Sequence, residues 1–133
     1  MTNLRARIPA FIGCLVAVAV GLACRYGLSG MPAKYLGVAL WSTTVYAILM
    51  SIRPAAGVHR AALVALGISW AVEFAQLTPV PAWLSSQHVL LRLLFGTTFS
   101  VADLPAYAAG VALGAALSIT ARRRADRVAS TSR

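Results

Sequence analysis

An all-α integral membrane fold, with four transmembrane helices and a short interfacial or re-entrant helix between spans three and four, is predicted by three observations. The 133 residues are 59% hydrophobic and 11% charged, against about 25% charged residues in ordinary soluble domains. The mean hydropathy is +0.77. Long apolar stretches alternate with short charged junctions, the pattern required of a chain that repeatedly crosses a hydrocarbon layer of about 30 Å. A typical soluble domain is excluded. Residues 1–121 read as a single membrane domain and 122–133 as a basic disordered tail.

The first span, 8–24, is led in by Arg5 and Arg7 and closed by Arg25. A basic start before an apolar core also fits a signal peptide, and Gly21-Leu22-Ala23-Cys24 is similar to a lipoprotein cleavage box. Gly21 stands where that box usually has Leu, and more membrane sequence follows, so a retained span is the better reading. The second span, 35–52, follows a turn at Met31-Pro32-Ala33-Lys34 and stops at Arg53-Pro54, because proline disfavours helix in the residue before it. Pro79 and Pro81 end the third span, 61–77. Segment 85–95 is apolar at Val89, Leu90, Leu91, Leu93, Leu94 and Phe95 but interrupted by His88 and Arg92. It is too short to cross and suits an interfacial helix, with Trp83 at headgroup level. The fourth span, 101–121, is stopped by Arg122-Arg123-Arg124. His59 and His88 read as interfacial polar residues.

Twelve Lys and Arg against three acids give a net charge of +9, and Arg122, Arg123, Arg124, Arg127 and Arg133 lie in the tail. The tail has no aromatic residue to stack on bases. It therefore reads as a topology determinant against anionic lipid, and nucleic acid is not an expected partner. The termini and the loop between spans two and three carry nine Lys and Arg, whereas the opposite side carries Arg25, Lys34 and Arg92. By the positive-inside rule both termini are cytoplasmic and 85–95 faces outward. Cys14 and Cys24 would stand about 15 Å apart on one helix, beyond disulfide reach. With no CxxC or His cluster, neither a metal nor a cofactor is expected.

Glu73 is the one acid inside an apolar span, and burying such a group is costly, about 2.5–3.5 kcal/mol for Asp, Lys or Arg at a span centre. Gln76 follows on the same face at i+3. Small residues form stripes: Gly13, Ala17 and Gly21 lead to Arg25, and Ala61, Ala65 and Ser69 lead to Glu73. In span four, Asp103, Tyr107, Gly110 and Gly114 share a line beside a GxxxG row. Such stripes let helices approach closely, so each polar residue at their outer ends points inward. Arg25, Glu73, Gln76, Arg92, Asp103 and Tyr107 are thus expected to converge in one outward-opening pocket. Gly13, Ala17, Gly21, Gly110 and Gly114 are the expected packing positions, the GxxxG row serving an intramolecular contact ahead of a dimer seam. Ser100-Val101-Ala102-Asp103 also fits a capping box.

The stretches Gly21-Leu22-x-x-Arg25, Pro32-x-Lys34-Tyr35-Leu36-Gly37-x-x-Leu40-Trp41, Glu73-x-x-Gln76-Leu77, Arg92-x-x-x-Gly96 and Phe99-Ser100-x-x-Asp103-Leu104-x-x-Tyr107-x-x-Gly110 resemble a family of small bacterial membrane proteins catalogued as domain of unknown function 2809. The latter half also looks like the wider VanZ-like group, whose named member confers resistance to a glycopeptide antibiotic. Val38 stands where the first family's pattern often has Asp. The resemblance implies a membrane fold but supplies no reaction.

With no recognisable catalytic motif, no catalytic residue is assigned. The leading expectation is a non-enzymatic envelope protein whose outer pocket takes a lipid headgroup or cell-wall precursor. An accessory subunit docking a larger membrane partner, or a homo-oligomer, is the alternative. An intramembrane enzyme using Glu73 or Asp103 as a general base ranks below both.

Overall fold

The structure, a computed structural model, describes residues 2–27, 30–96 and 98–131. Its regular elements among these residues are all helices: α1 (Thr2–Gly27), α2 (Met31–Ile52), a 3-10 turn (Pro54–Ala56), α3 (Val58–Ala75), α4 (Pro79–Gln87), α5 (Val89–Phe95) and α6 (Asp103–Thr131). Three of the helices, α2, α3 and α6, are long and apolar enough to cross a membrane by length and composition, and α1 carries a shorter apolar run, Phe11–Gly21. Only 22% to 28% of the apolar stretch in each of the three is buried inside the protein. The remaining apolar surface needs a non-aqueous surround, which a bilayer supplies.

Several helix ends differ from the sequence expectation. Met31-Pro32-Ala33-Lys34 is the first turn of α2 rather than a turn before it, since proline at the start of a helix forfeits only an N–H that would have no intrahelical partner. Gly30, at φ 81°, turns the chain into it. α3 begins at Val58 and ends at Ala75, and Pro79 opens α4 in the same manner. Segment 85–95 is not one helix: α4 and α5 meet at His88, whose extended backbone breaks the run and whose Nδ1 accepts from the Leu90 N–H at 3.2 Å. α6 begins at Asp103 and continues to Thr131, so 122–131 is helix where a disordered tail was expected. Alanine and arginine are strong helix formers, and no proline follows Pro105 to stop the helix.

α2 is the central helix, packing on α1, α3 and α6, and α3 packs on α6 as well. Contacts along α2 and α6 advance in the same direction, Ser42 with Tyr107, Thr43 with Gly110 and Tyr46 with Gly114. These helices are therefore parallel neighbours, although three helices separate them in the chain. The Ser42 hydroxyl lies 2.9 Å from the Tyr107 carbonyl and 2.8 Å from that of Ala39, so its one proton is shared. Thr43 Oγ1 likewise lies 2.8 Å from the Gly110 carbonyl and 3.0 Å from that of Ala39. Beyond this seam Tyr46, Met50, Val58, Ala61, Ala65 and Val111 form the apolar core, with Ile119 packed against it.

The seam needs glycine. A Cβ on Gly110 would overlap the Ala39 carbonyl oxygen and the Ser42 hydroxyl, whereas Gly13 and Gly67 face open space. Gly110→Ala is expected to lower stability by about 1–3 kcal/mol or more through overpacking, and Gly67→Ala to leave it unchanged or raise it slightly. Thermal unfolding of both variants in detergent micelles checks this. Equal melting temperatures would mean that α2 and α6 do not approach so closely.

Candidate functional site

The C-terminal end of α3 and the N-terminal ends of α2 and α6 lie at one end of the bundle. Ala61, Ala65, Ser69 and Glu73 form one buried stripe on α3, each no more than 4% exposed. The small members let α3 close on its neighbours, and Glu73 at the last turn is carried into the interior with them. Its carboxyl group is held from two directions. Oε1 accepts the Ser100 backbone N–H at 2.6 Å, and Oε2 accepts the Tyr107 hydroxyl at 2.8 Å. Trp41 sits edge-on to the Tyr107 ring, with centroids 5.9 Å apart. Trp70 Nε1 donates to the Leu104 carbonyl at 3.3 Å, and Phe74 stacks on Phe99.

This arrangement rewrites the start of α6. In a capping box the Asp103 carboxylate would accept from the Ser100 N–H and the Ser100 hydroxyl would accept from the Asp103 N–H. Here Glu73, from another helix, takes the Ser100 N–H, and the Asp103 N–H bonds to the Ser100 carbonyl at 2.9 Å. Asp103 is left to pair with Lys34, Nζ to Oδ1 at 2.9 Å, and the same ammonium donates to Ser100 Oγ at 3.1 Å. The Tyr35 ring lies beneath that ammonium at 5.6 Å. Among the described residues Lys34–Asp103 is the ion pair of the site.

Of the six residues expected to converge, Glu73, Asp103 and Tyr107 meet. Gln76 turns the other way, donating through Nε2 to the Phe95 carbonyl at 2.7 Å and so clasping the end of α5. Ser85 clasps the same corner through the Gly96 carbonyl at 2.7 Å. Gly96 has φ 65°, and a Cβ there would meet Gln76 Nε2 at 2.7 Å, so the corner requires glycine on both counts. Arg92 is exposed on α5 rather than part of the cluster. The Arg25 side chain lies outside the described residues. Among the packing positions, Gly110 and Gly114 lie against α2, Gly21 faces Leu40, Ala17 is buried and Gly13 is exposed with open space before it.

Lys34 and the Ser100 N–H are the members that sequence reasoning did not assign to the site. One signal pointed to Lys34: it lies seven and eight residues before Trp41 and Ser42, on the face of α2 that meets α6. Val38 follows Lys34 by one turn and is partly buried.

A protein-family model described as protein of unknown function (DUF2809) matches residues 28–111. The matched stretch runs from the start of α2 into the first third of α6 and contains Lys34, Glu73, Ser100, Asp103 and Tyr107. No curated protein and no solved structure matches the chain.

Tyr107→Phe removes one of two donors to a buried carboxyl group, and stability is expected to fall by about 1–3 kcal/mol. Glu73→Gln keeps an acceptor for Ser100 and offers an amide to Tyr107, so it should cost less than Glu73→Leu, which abandons both donors. Unfolding midpoints of the three variants in one detergent give the ranking. A Tyr107→Phe protein as stable as the parent would remove this bond from the account.

Proposed function

The chain belongs to the DUF2809 family, and from that premise we propose a non-enzymatic multi-pass membrane protein whose outer end recognises an anionic lipid headgroup or cell-wall precursor. The supporting observation is the asymmetry of the Lys34–Asp103 pair, in which the Lys34 side chain is 44% exposed and that of Asp103 only 7%. The ammonium has three donors. Ser100 Oγ accepts from one of them, the Asp103 contact is an ion pair whose Oδ1 accepts no hydrogen bond, and the exposed side of the ammonium is open to a phosphate or carboxylate from outside. A compact ammonium held by a buried carboxylate is a pre-organised anion contact. Glu73 is 1% exposed and its oxygens accept from Ser100 and Tyr107 within the chain, which keeps it from a ligand at the outer surface and so favours binding over catalysis.

In this proposal α1 is the fourth span. Its 26 residues make about 39 Å of helix, and Ile8, Phe11, Ile12, Leu15 and Val16 are all more than half exposed, which suits lipid. α4 and α5 lie at the interface, with Val80, Trp83, Val89 and Leu90 exposed. The excess of Lys and Arg at the other end supports cytoplasmic termini in a bacterial inner membrane. The VanZ-like likeness of the latter half supports an envelope ligand by analogy only.

The accessory-subunit reading has one observation in its favour: Glu73 and Asp103 find partners within the chain, as a purely structural lock would. Two measurements separate the proposals. Single cysteines at Ser86 and Ser130, in a chain lacking Cys14 and Cys24, are labelled in intact cells with an impermeant thiol reagent. Labelling at Ser86 alone is expected, and labelling at Ser130 alone would invert the protein. Lipid extracted from purified Lys34→Gln and from the charge-swapped Lys34→Asp/Asp103→Lys protein should in both cases show loss of the anionic species retained by the parent. Restored behaviour in the swap would favour the lock.

A further inference from the structure

We propose that the opposite end of the bundle is a binding surface for anionic phospholipid headgroups, built jointly by the α2–α3 turn and the extension of α6. The 29 residues of α6 make about 43 Å of helix, whereas an apolar core of about 30 Å takes roughly 20 residues. Counted from Asp103, the twentieth residue is Arg122. Arg122, Arg123 and Arg124 therefore emerge at the edge of the hydrocarbon, and Arg127 follows one turn later. That interval lies within the polar layer, about 5–8 Å deep on each side of the core.

A second segment reaches the same level. Ile119, one turn before Arg122, packs against the cluster containing Met50 and Val58. Those two residues flank the α2–α3 turn, which bears Arg53, and Arg60 follows in the first turn of α3. Arg53, Arg60, Arg122, Arg123, Arg124 and Arg127 are all exposed. Asp126 is the one acid at this end, and among the described residues no ion pair joins it to these arginines.

The depth of the charges selects the partner. Guanidinium forks match phosphate oxygens bidentately, and here they stand where a leaflet presents its phosphates rather than out in solvent. α6 beyond Arg122 has no aromatic residue on which a base would stack. Collecting arginines from two segments far apart in the chain makes a surface of the folded protein, not merely a charged tail.

The test uses the full chain in detergent, equilibrated with vesicles of phosphatidylcholine alone or with one fifth phosphatidylglycerol, and counts bound lipid by native mass spectrometry. The parent is expected to enrich phosphatidylglycerol over phosphatidylcholine, less so in 0.5 M salt. Each basic residue near an anionic surface contributes about 1 kcal/mol, so Arg53→Gln/Arg60→Gln and Arg122→Gln/Arg123→Gln/Arg124→Gln should each lower the enrichment, by up to about fivefold per arginine. Unchanged melting temperatures in phosphatidylcholine establish that both variants are folded. Equal uptake of the two lipids by the parent would overturn the proposal. So would full enrichment in the Arg53→Gln/Arg60→Gln variant, which would leave α6 acting alone, or displacement of phosphatidylglycerol by an equimolar short single-stranded RNA.

Discussion

A carboxyl group taken out of water must find donors, because the energy it loses in hydration is large compared with the net stability of a small protein. Glu73 is 1% exposed, and the organisation of its end of the bundle follows from how it is satisfied. Its two oxygens reach the backbone of the loop before α6 and a side chain one turn inside α6. That pair of bonds fixes the start of α6 against the end of α3. With Ser100 committed to Glu73, Asp103 is released to Lys34, and α2 is drawn into the same knot. Three helices are thus registered at one end by two carboxylates. Along α2 and α6 the register is maintained by hydroxyl-to-carbonyl bonds and by glycine, with no further charge required.

The stripe that ends in Glu73 was legible because its signal is local. Four residues at four-residue spacing, three of them small, define a helix face without reference to any other helix. Composition and apolar runs likewise suffice for α2, α3 and α6 as membrane-length helices. The Lys34–Asp103 pair was not legible, since it joins residues sixty-nine positions apart and depends on α2 and α6 being parallel neighbours. Charge sign made Arg25 and Arg92 equally good candidates; reach and direction, which the sequence does not specify, leave Arg92 on the surface. The capping box at Ser100 was a correct local possibility that a tertiary contact displaced. In 122–131 a high density of charge suggests disorder, whereas alanine and arginine both favour the helix found there.

The two ends of the molecule differ in kind. At one end two carboxyl groups are buried, Glu73 bonded to a backbone N–H and a hydroxyl and Asp103 paired with a partly exposed Lys34, where a low dielectric makes each contact strong and each omission costly. At the other end cations are numerous, exposed and unpaired among the described residues, where their action is additive and sensitive to salt. The family match covers the first end and leaves the α6 extension outside it.

The distance in sequence between Glu73 and its partners also has a meaning in time. Ser100 and Tyr107 lie 27 and 34 residues downstream. At a synthesis rate of about 5–20 residues per second, α3 exists for roughly two to seven seconds before Tyr107 has been made. During that interval its carboxyl group must remain at the interface, borrow water or be shielded by another protein. The last helix is therefore a late-arriving clamp, and its arrival is the moment at which α3 can settle to its final depth.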